Sequence, residues 1–131
     1  MRTIDAHKVN RCNESLTIEA LDEAGPGGAN HHYLITGYHS KGNPSADAST
    51  RDETSTHLLF QNGPILEAGV NGVTNEALLA IVLDRLEKFQ EGDYRCRENA
   101  LAITKLEEAM HWLNHRTRQR EARGVEGTHK V

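Results

Sequence analysis

The chain has 131 residues, 37% of them hydrophobic and 5% aromatic, and carries a formal net charge of −4. That length fits one domain, or a small domain with one appended element, and so thin an apolar supply points to self-association as a way to hide the remaining apolar surface. The charge balance speaks against general nucleic-acid binding, and no apolar run approaches membrane-spanning length, so a soluble intracellular protein is expected.

The first half reads as strands. Residues 14–22 alternate, with Leu16, Ile18 and Ala20 on one face. A turn signal at Gly25-Pro26-Gly27-Gly28 is followed by a returning strand over 31–38. Residues 40–53 are small, polar and unperiodic, which predicts an exposed loop, and 55–61 supplies a last strand closed by Asn62-Gly63-Pro64. An antiparallel meander follows from that order.

After the glycine-punctuated run Gly69–Gly72 the period changes. Thr74 or Asn75 can cap a helix in which Leu78, Val82, Leu86 and Phe89 form a stripe, with Leu79 and Ile81 beside it. Residues 90–93 break the pattern. A second helix is predicted from about Arg95 to Arg123, with Ala102, Leu106, Ala109 and Leu113 along one face and Gly124 as its terminator. So short a break makes the pair an antiparallel hairpin. The fold class is therefore α+β: a small N-terminal antiparallel β-sheet in 1–68, then a long two-helix hairpin with a glycine-containing tail in 69–131, the whole oligomeric.

Charge is distributed unevenly. Residues 1–69 hold nine acids and five bases, whereas 115–131 hold five bases (Arg116, Arg118, Arg120, Arg123, Lys130) against Glu121 and Glu126. A local basic site on a mildly acidic protein suits a small anionic ligand better than a long polyanion. Arginines on a helix end, with backbone amides freed by glycine behind them, are what recognition of a phosphate-bearing small molecule requires. Catalytic and metal constellations are missing. His31 and His32 point to opposite faces of a strand, His111 and His115 have no glutamate motif between them, and no serine or cysteine nucleophile has a recognisable partner. Cys12 and Cys96 form no metal or redox spacing and are expected as reduced thiols. No cofactor is expected.

Residues 60–131 carry a specific set of motifs: Phe60-Gln61-Asn62-Gly63-Pro64-Ile65, the Gly69–Val82 stretch, Arg97-Glu98-Asn99-Ala100, and Arg116–His129. They resemble the helical-hairpin family of bacteriophage nucleotide sponges that counter the Thoeris and CBASS immune systems, and the strand-rich first half resembles the Thoeris anti-defence branch in architecture. The resemblance implies a protein that is not an enzyme. It implies binding of cyclic ADP-ribose isomers and cyclic oligonucleotides in the cytoplasm of the infected bacterium, away from their effector, by a homo-oligomer that is a hexamer built from three dimers. Membrane and DNA are not among the partners it implies. The family pattern for the ADP-ribose-type ligand falls on Phe89, Asn99, Arg116 and Arg120, and the segment tied to cyclic oligonucleotides on Gly127, Thr128 and His129.

Helix geometry constrains that transfer. Arg116 and Arg120, four apart, project from one face toward a single anion. Asn99 and Arg116 are 17 residues apart, about 25 Å along a helix. A dinucleotide about 10 Å across cannot touch both on one chain, taking the helix rise as the ruler. A second, antiparallel chain must bring its arginines to the first chain's turn, giving two equivalent composite pockets per dimer. Phe89, otherwise a core residue of the stripe, then becomes an aromatic platform for a purine. Competing readings are a small phage nucleic-acid-binding accessory protein using residues 111–130, and a hydrolase of the ligand.

Overall fold

A computed structural model describes residues 1–128, in two compact units that divide between Asn62 and Gly63. The division falls ahead of the boundary expected at 68/69, because the short helix Ile65–Ala68 belongs with the helical unit.

The first unit is one antiparallel sheet in the order β1 (Arg2–Ile4), β2 (Thr17–Ala20), β3 (His32–Thr36), β4 (Ser55–Leu59). The expected meander is present, with two differences. Arg2–Ile4 forms an additional edge strand against β2, a segment too short to show alternation. Residues 11–15 form a one-turn helix, α1 (Arg11–Ser15), whose Asn10 cap accepts the Asn13 amide at 3.0 Å, so Glu14 and Ser15 leave the expected strand. Register places Ile18 opposite Ile35, and Ala20 opposite Tyr33, which faces Leu58 in turn. Ala20 is the one fully enclosed apolar residue of this unit, and Phe60 meets Tyr33 edge-on at 5.6 Å. The polar stretch at 40–53 has no regular structure beyond a single turn of 3-10 helix, Ser40–Gly42.

Two devices hold the β2–β3 pair, one at each end. The Asp22 carboxylate accepts the backbone amides of His31 and His32 at 3.0–3.2 Å. Burial pushes the Asp22 carboxyl up, but these amide hydrogen bonds outweigh it and hold the group below the ordinary aspartate value. Gly37, at φ +95°, lets the chain pass against the end of α1: a Cβ there would lie 1.8 Å from the Ser15 carbonyl oxygen.

The second unit consists of α2 (Ile65–Ala68), α3 (Asn75–Glu91) and α4 (Arg97–Ala122). Thr74 caps α3 through its hydroxyl, 3.1 Å from the Ala77 amide. The half-buried positions of α3 are Glu76, Leu78, Leu79, Leu83, Leu86 and Gln90, and those of α4 include Ala102, Leu106, Ala109 and Leu113. Both rows follow the three-and-four spacing of a helix–helix seam. The α4 face is the expected one. On α3 the seam is rotated only in part from the expected stripe: Leu78 and Leu86 of that stripe are half-buried together with Leu79, while Ile81, Val82 and Phe89 stay exposed. The periodicity locates an apolar sector wider than one neighbouring helix covers, and packing selects which part of it is used. Among the described residues no helix is long and apolar enough to cross a membrane.

Gly37→Ala should destabilise the protein by about 2–4 kcal/mol, combining left-handed strain with a backbone clash; a urea midpoint equal to wild type would refute the close approach. Because Asp22 has a lowered folded-state pKa, its stabilisation is fully present above the ordinary aspartate range and disappears as pH falls through the folded value. Asp22→Asn should flatten the acid limb of the stability curve, and acid unfolding that tracks wild type at every pH would show that the carboxylate contributes nothing.

Candidate ligand-binding site

Side chains suited to a nucleotide collect at both ends of the hairpin. At the turn, Gln90 accepts the Cys96 amide at 2.8 Å, and the Cys96 thiol caps α4 by accepting the Asn99 amide at 3.4 Å. The Asn99 side-chain amide donates to the Tyr94 carbonyl at 3.2 Å. The Tyr94 ring stands edge-on to Phe89, 6.1 Å between centroids. Arg85, one turn before Phe89, holds its guanidinium carbon 5.4 Å from that ring's centroid. Phe89 and Asn99, nominated from sequence, are thus brought together through Tyr94.

Tyr94 and Arg85 are the residues that sequence reasoning missed here. Arg85 was findable, since an i,i+4 arginine–aromatic pair on a helix meets by geometry. Tyr94 was not, because its position depends on the course of the turn. It is 77% exposed, a high value for an aromatic held in a tight turn, while Phe89 is 37% exposed. Ring surface is therefore open for stacking.

The far end of α4 separates the two arginines expected to act together. Arg116 is exposed, and its guanidinium makes no hydrogen bond or ion pair among the described residues. Arg120 is turned inward and only 8% exposed. Its Nε donates to the Glu126 carboxylate at 3.0 Å, and one terminal nitrogen donates to the carbonyls of Val125 at 3.0 Å and Thr128 at 3.2 Å. Three acceptors five to eight residues downstream are outside what helix spacing can foresee.

The tail that Arg120 grips is well formed. Gly124, at φ +71°, ends α4, with its amide bonded to the Glu121 carbonyl and the Val125 amide to that of Arg120. This is the paired arrangement of a Schellman stop, and the glycine terminator expected there is observed. Val125 is buried. The Thr128 amide and hydroxyl both donate to the Val125 carbonyl, so this hydroxyl is used within the tail. Gly127 lies against α2, where a Cβ would come 3.0 Å from an Ile65 side-chain carbon. Its missing side chain serves packing there. His129 lies outside the described residues.

Two histidine groups stand apart from these elements. His32 Nε2 and His57 Nδ1 approach to 2.9 Å across β3 and β4, and His111, Trp112 and His115 cluster on α4. Among the described residues no group of three or more His, Cys, Asp or Glu side chains is placed to hold a metal ion.

Arg120→Ala should lower stability by about 2–4 kcal/mol, the scale of lost charged hydrogen bonds and a stranded partner. It should also expose the Val125 and Thr128 amides to hydrogen exchange, and unchanged protection at those amides would remove Arg120 as the pin of the tail.

The chain has counterparts among known proteins. Residues 54–118 match the model of the Acb2/Tad1 hairpin domain. The chain is also 45% identical, over 114 residues covering 78% of it and 80% of the relative, to Thoeris anti-defense 1 of Bacillus phage SBSphiJ7. With a relative that close over both the sheet and the hairpin, the chain belongs to the Thoeris anti-defence sponge family.

Proposed function

We propose that the protein is a phage anti-defence sponge that binds cyclic ADP-ribose isomers and holds them, chemically unaltered, away from the host effector in the cytoplasm of the infected bacterium. The observation that carries this reading is the turn itself. Phe89 offers ring surface beside the Arg85 guanidinium, Tyr94 stands against it, and Asn99 is fixed alongside. An aromatic face with adjacent cations and an amide suits a purine nucleotide carrying phosphates. Arg116, with its guanidinium uncommitted among the described residues, supplies a further charge from a second chain. Membership of the family, and the name of the Bacillus phage relative, support the anti-defence role. Cyclic oligonucleotides are assigned to a second site near Gly127, Thr128 and His129. Arg120 holds that segment in place, so its effect on ligands passes through the tail.

Self-association belongs to the same reading. Among the described residues the buried apolar side chains are Ala20 and Val125 alone, while Leu66, Ile81, Leu101 and Trp112 on the helices are exposed. So small a core needs partner chains to cover it. A hexamer of three dimers meets that need and completes the pockets. The alternative, a nucleic-acid accessory protein, draws only on the basic end of α4 and has the net charge of −4 against it.

Titration with a panel of cyclic nucleotides, followed by heating and analysis of the released compound, tests the whole reading. The ligand should bind near one per chain with little salt dependence and return intact. An altered product would mean turnover, and binding only to long oligonucleotides, with a steep salt slope, would mean a nucleic-acid protein. Phe89→Ala should cost about 1–3 kcal/mol of cyclic ADP-ribose-isomer binding and Arg116→Ala about 2–4 kcal/mol, with cyclic-oligonucleotide binding spared. Full displacement of one ligand class by the other would reduce the two sites to one.

A further inference from the structure

The turn between α3 and α4 is closed by a side chain, where the far end of α4 is closed by the backbone. Gly124 stops α4 at φ +71°, whereas no residue from 92 to 96 has a positive φ, and Gly92 itself is extended at φ −119°. One backbone bond follows the last residue of α3, from the Gly92 amide to the Phe89 carbonyl at 3.2 Å. A left-handed stop is therefore not what reverses the chain here. Among the described residues, the hydrogen bond that ties the last turn of α3 to the start of α4 runs from the Cys96 amide to the Gln90 side-chain carbonyl oxygen. It is 2.8 Å long and spans six residues. Gln90 is half-buried.

That bond relieves Asn99 of a task. Cys96 is the N-cap of α4, with Arg97, Glu98 and Asn99 at the first three helical positions. In a capping box the N-cap side chain accepts the amide of the third residue, and the side chain of that third residue turns back to accept the N-cap amide. The first half is present, since the Cys96 thiol accepts the Asn99 amide at 3.4 Å. The second half comes from outside the helix, because Gln90 already occupies the Cys96 amide. The Asn99 side chain is left over, and its amide donates to the Tyr94 carbonyl at 3.2 Å. Tyr94 in turn sets its ring edge-on to Phe89. The carboxylates nearest in sequence, Asp93 and Glu98, are exposed, and neither accepts the Cys96 amide.

We propose that Gln90 is a positioning residue for the ligand turn. By taking the Cys96 amide it keeps Asn99 from folding back onto its own helix end. The Asn99 side chain and Tyr94 are thereby held where a nucleotide stacked on Phe89 meets them. The role in binding rests on the reading of the turn as a ligand site, but the exchange of partners between Gln90 and Asn99 does not. Deprived of Gln90, the Cys96 amide turns to the acceptor at the third helical position, the Asn99 side-chain oxygen, and the Tyr94 carbonyl loses its donor. Helix α4 keeps a full cap. The site is disturbed and the fold is not.

Gln90→Met is close in volume and helix propensity and removes only the acceptor, so the variant folds. Gln90→Glu keeps an acceptor at the same place. In crystals of ligand-free protein, Asn99 should accept the Cys96 amide in Gln90→Met and still donate to the Tyr94 carbonyl in Gln90→Glu. An Asn99 side chain that stays on Tyr94 in Gln90→Met would overturn the exchange, whether Asp93, Glu98 or water has taken the amide.

In solution, Gln90→Met should weaken binding of a cyclic ADP-ribose isomer about 5- to 20-fold, the scale of one or two lost hydrogen bonds, with the mass of the assembly unchanged. In an Asn99→Ala background the same substitution should cost less than about 2-fold, since the residue it acts through is gone. Wild-type affinity in Gln90→Met would overturn the positioning role, provided that Phe89→Ala in parallel shows a loss. An undiminished loss in the Asn99→Ala background would overturn it equally. A wild-type protein that binds no cyclic ADP-ribose isomer defeats the sponge reading alone, and the crystal comparison then decides whether Gln90 governs Asn99.

Discussion

The seam between α3 and α4 sets the terms for the helical half of the molecule. Leu79, Leu83 and Leu86 on one helix and Ala102, Leu106 and Leu113 on the other are its half-buried rows. Once those rows are turned inward, the direction of every other residue on the two helices follows from the helical repeat. Phe89 comes to the flank of the turn, Arg116 to the solvent side, and Arg120 to the inward side beyond the seam. The placement of candidate ligand groups is a by-product of where the leucines had to go.

That seam also explains why this chain is so poor in buried apolar surface. Two helices packed together cover one stripe each, and the apolar sector of α3 is wider than a stripe, so Ile81 and Val82 remain in water. In the first unit a four-stranded sheet has no helix of more than one α-helical turn to form a second layer of its own. Ala20 alone is enclosed there. Proteins that carry exposed apolar patches of this kind on rigid elements use them for association. The binding site shared between chains that we propose would draw on such surfaces, left over from folding.

Arg116 and Arg120 show how one turn of helix separates two environments. The two lie four residues apart and carry the same group, yet one is open and the other is committed to the tail. The difference is Gly124. Its positive φ reverses the chain so that the carbonyls of Val125 and Thr128, with the Glu126 carboxylate, arrive over Arg120. A planar guanidinium can donate in several directions at once, which is why a single arginine holds a whole segment where a lysine would hold a point. Arg116 lies one turn further from the stop.

The sequence by itself determined whatever depends on neighbours within one or two turns. The antiparallel order of strands, the Thr74 cap, the helix period and the Gly124 stop are local, and each is legible because its physical cause lies within a few residues. The tertiary structure alone decided what depends on distant segments. It set the rotation of the α3 seam, the meeting of Tyr94 with Phe89, the His32–His57 approach across two strands, and the capture of Arg120 by its own tail. A side chain's identity states which bonds it can make, and only the fold states which partner reaches it first.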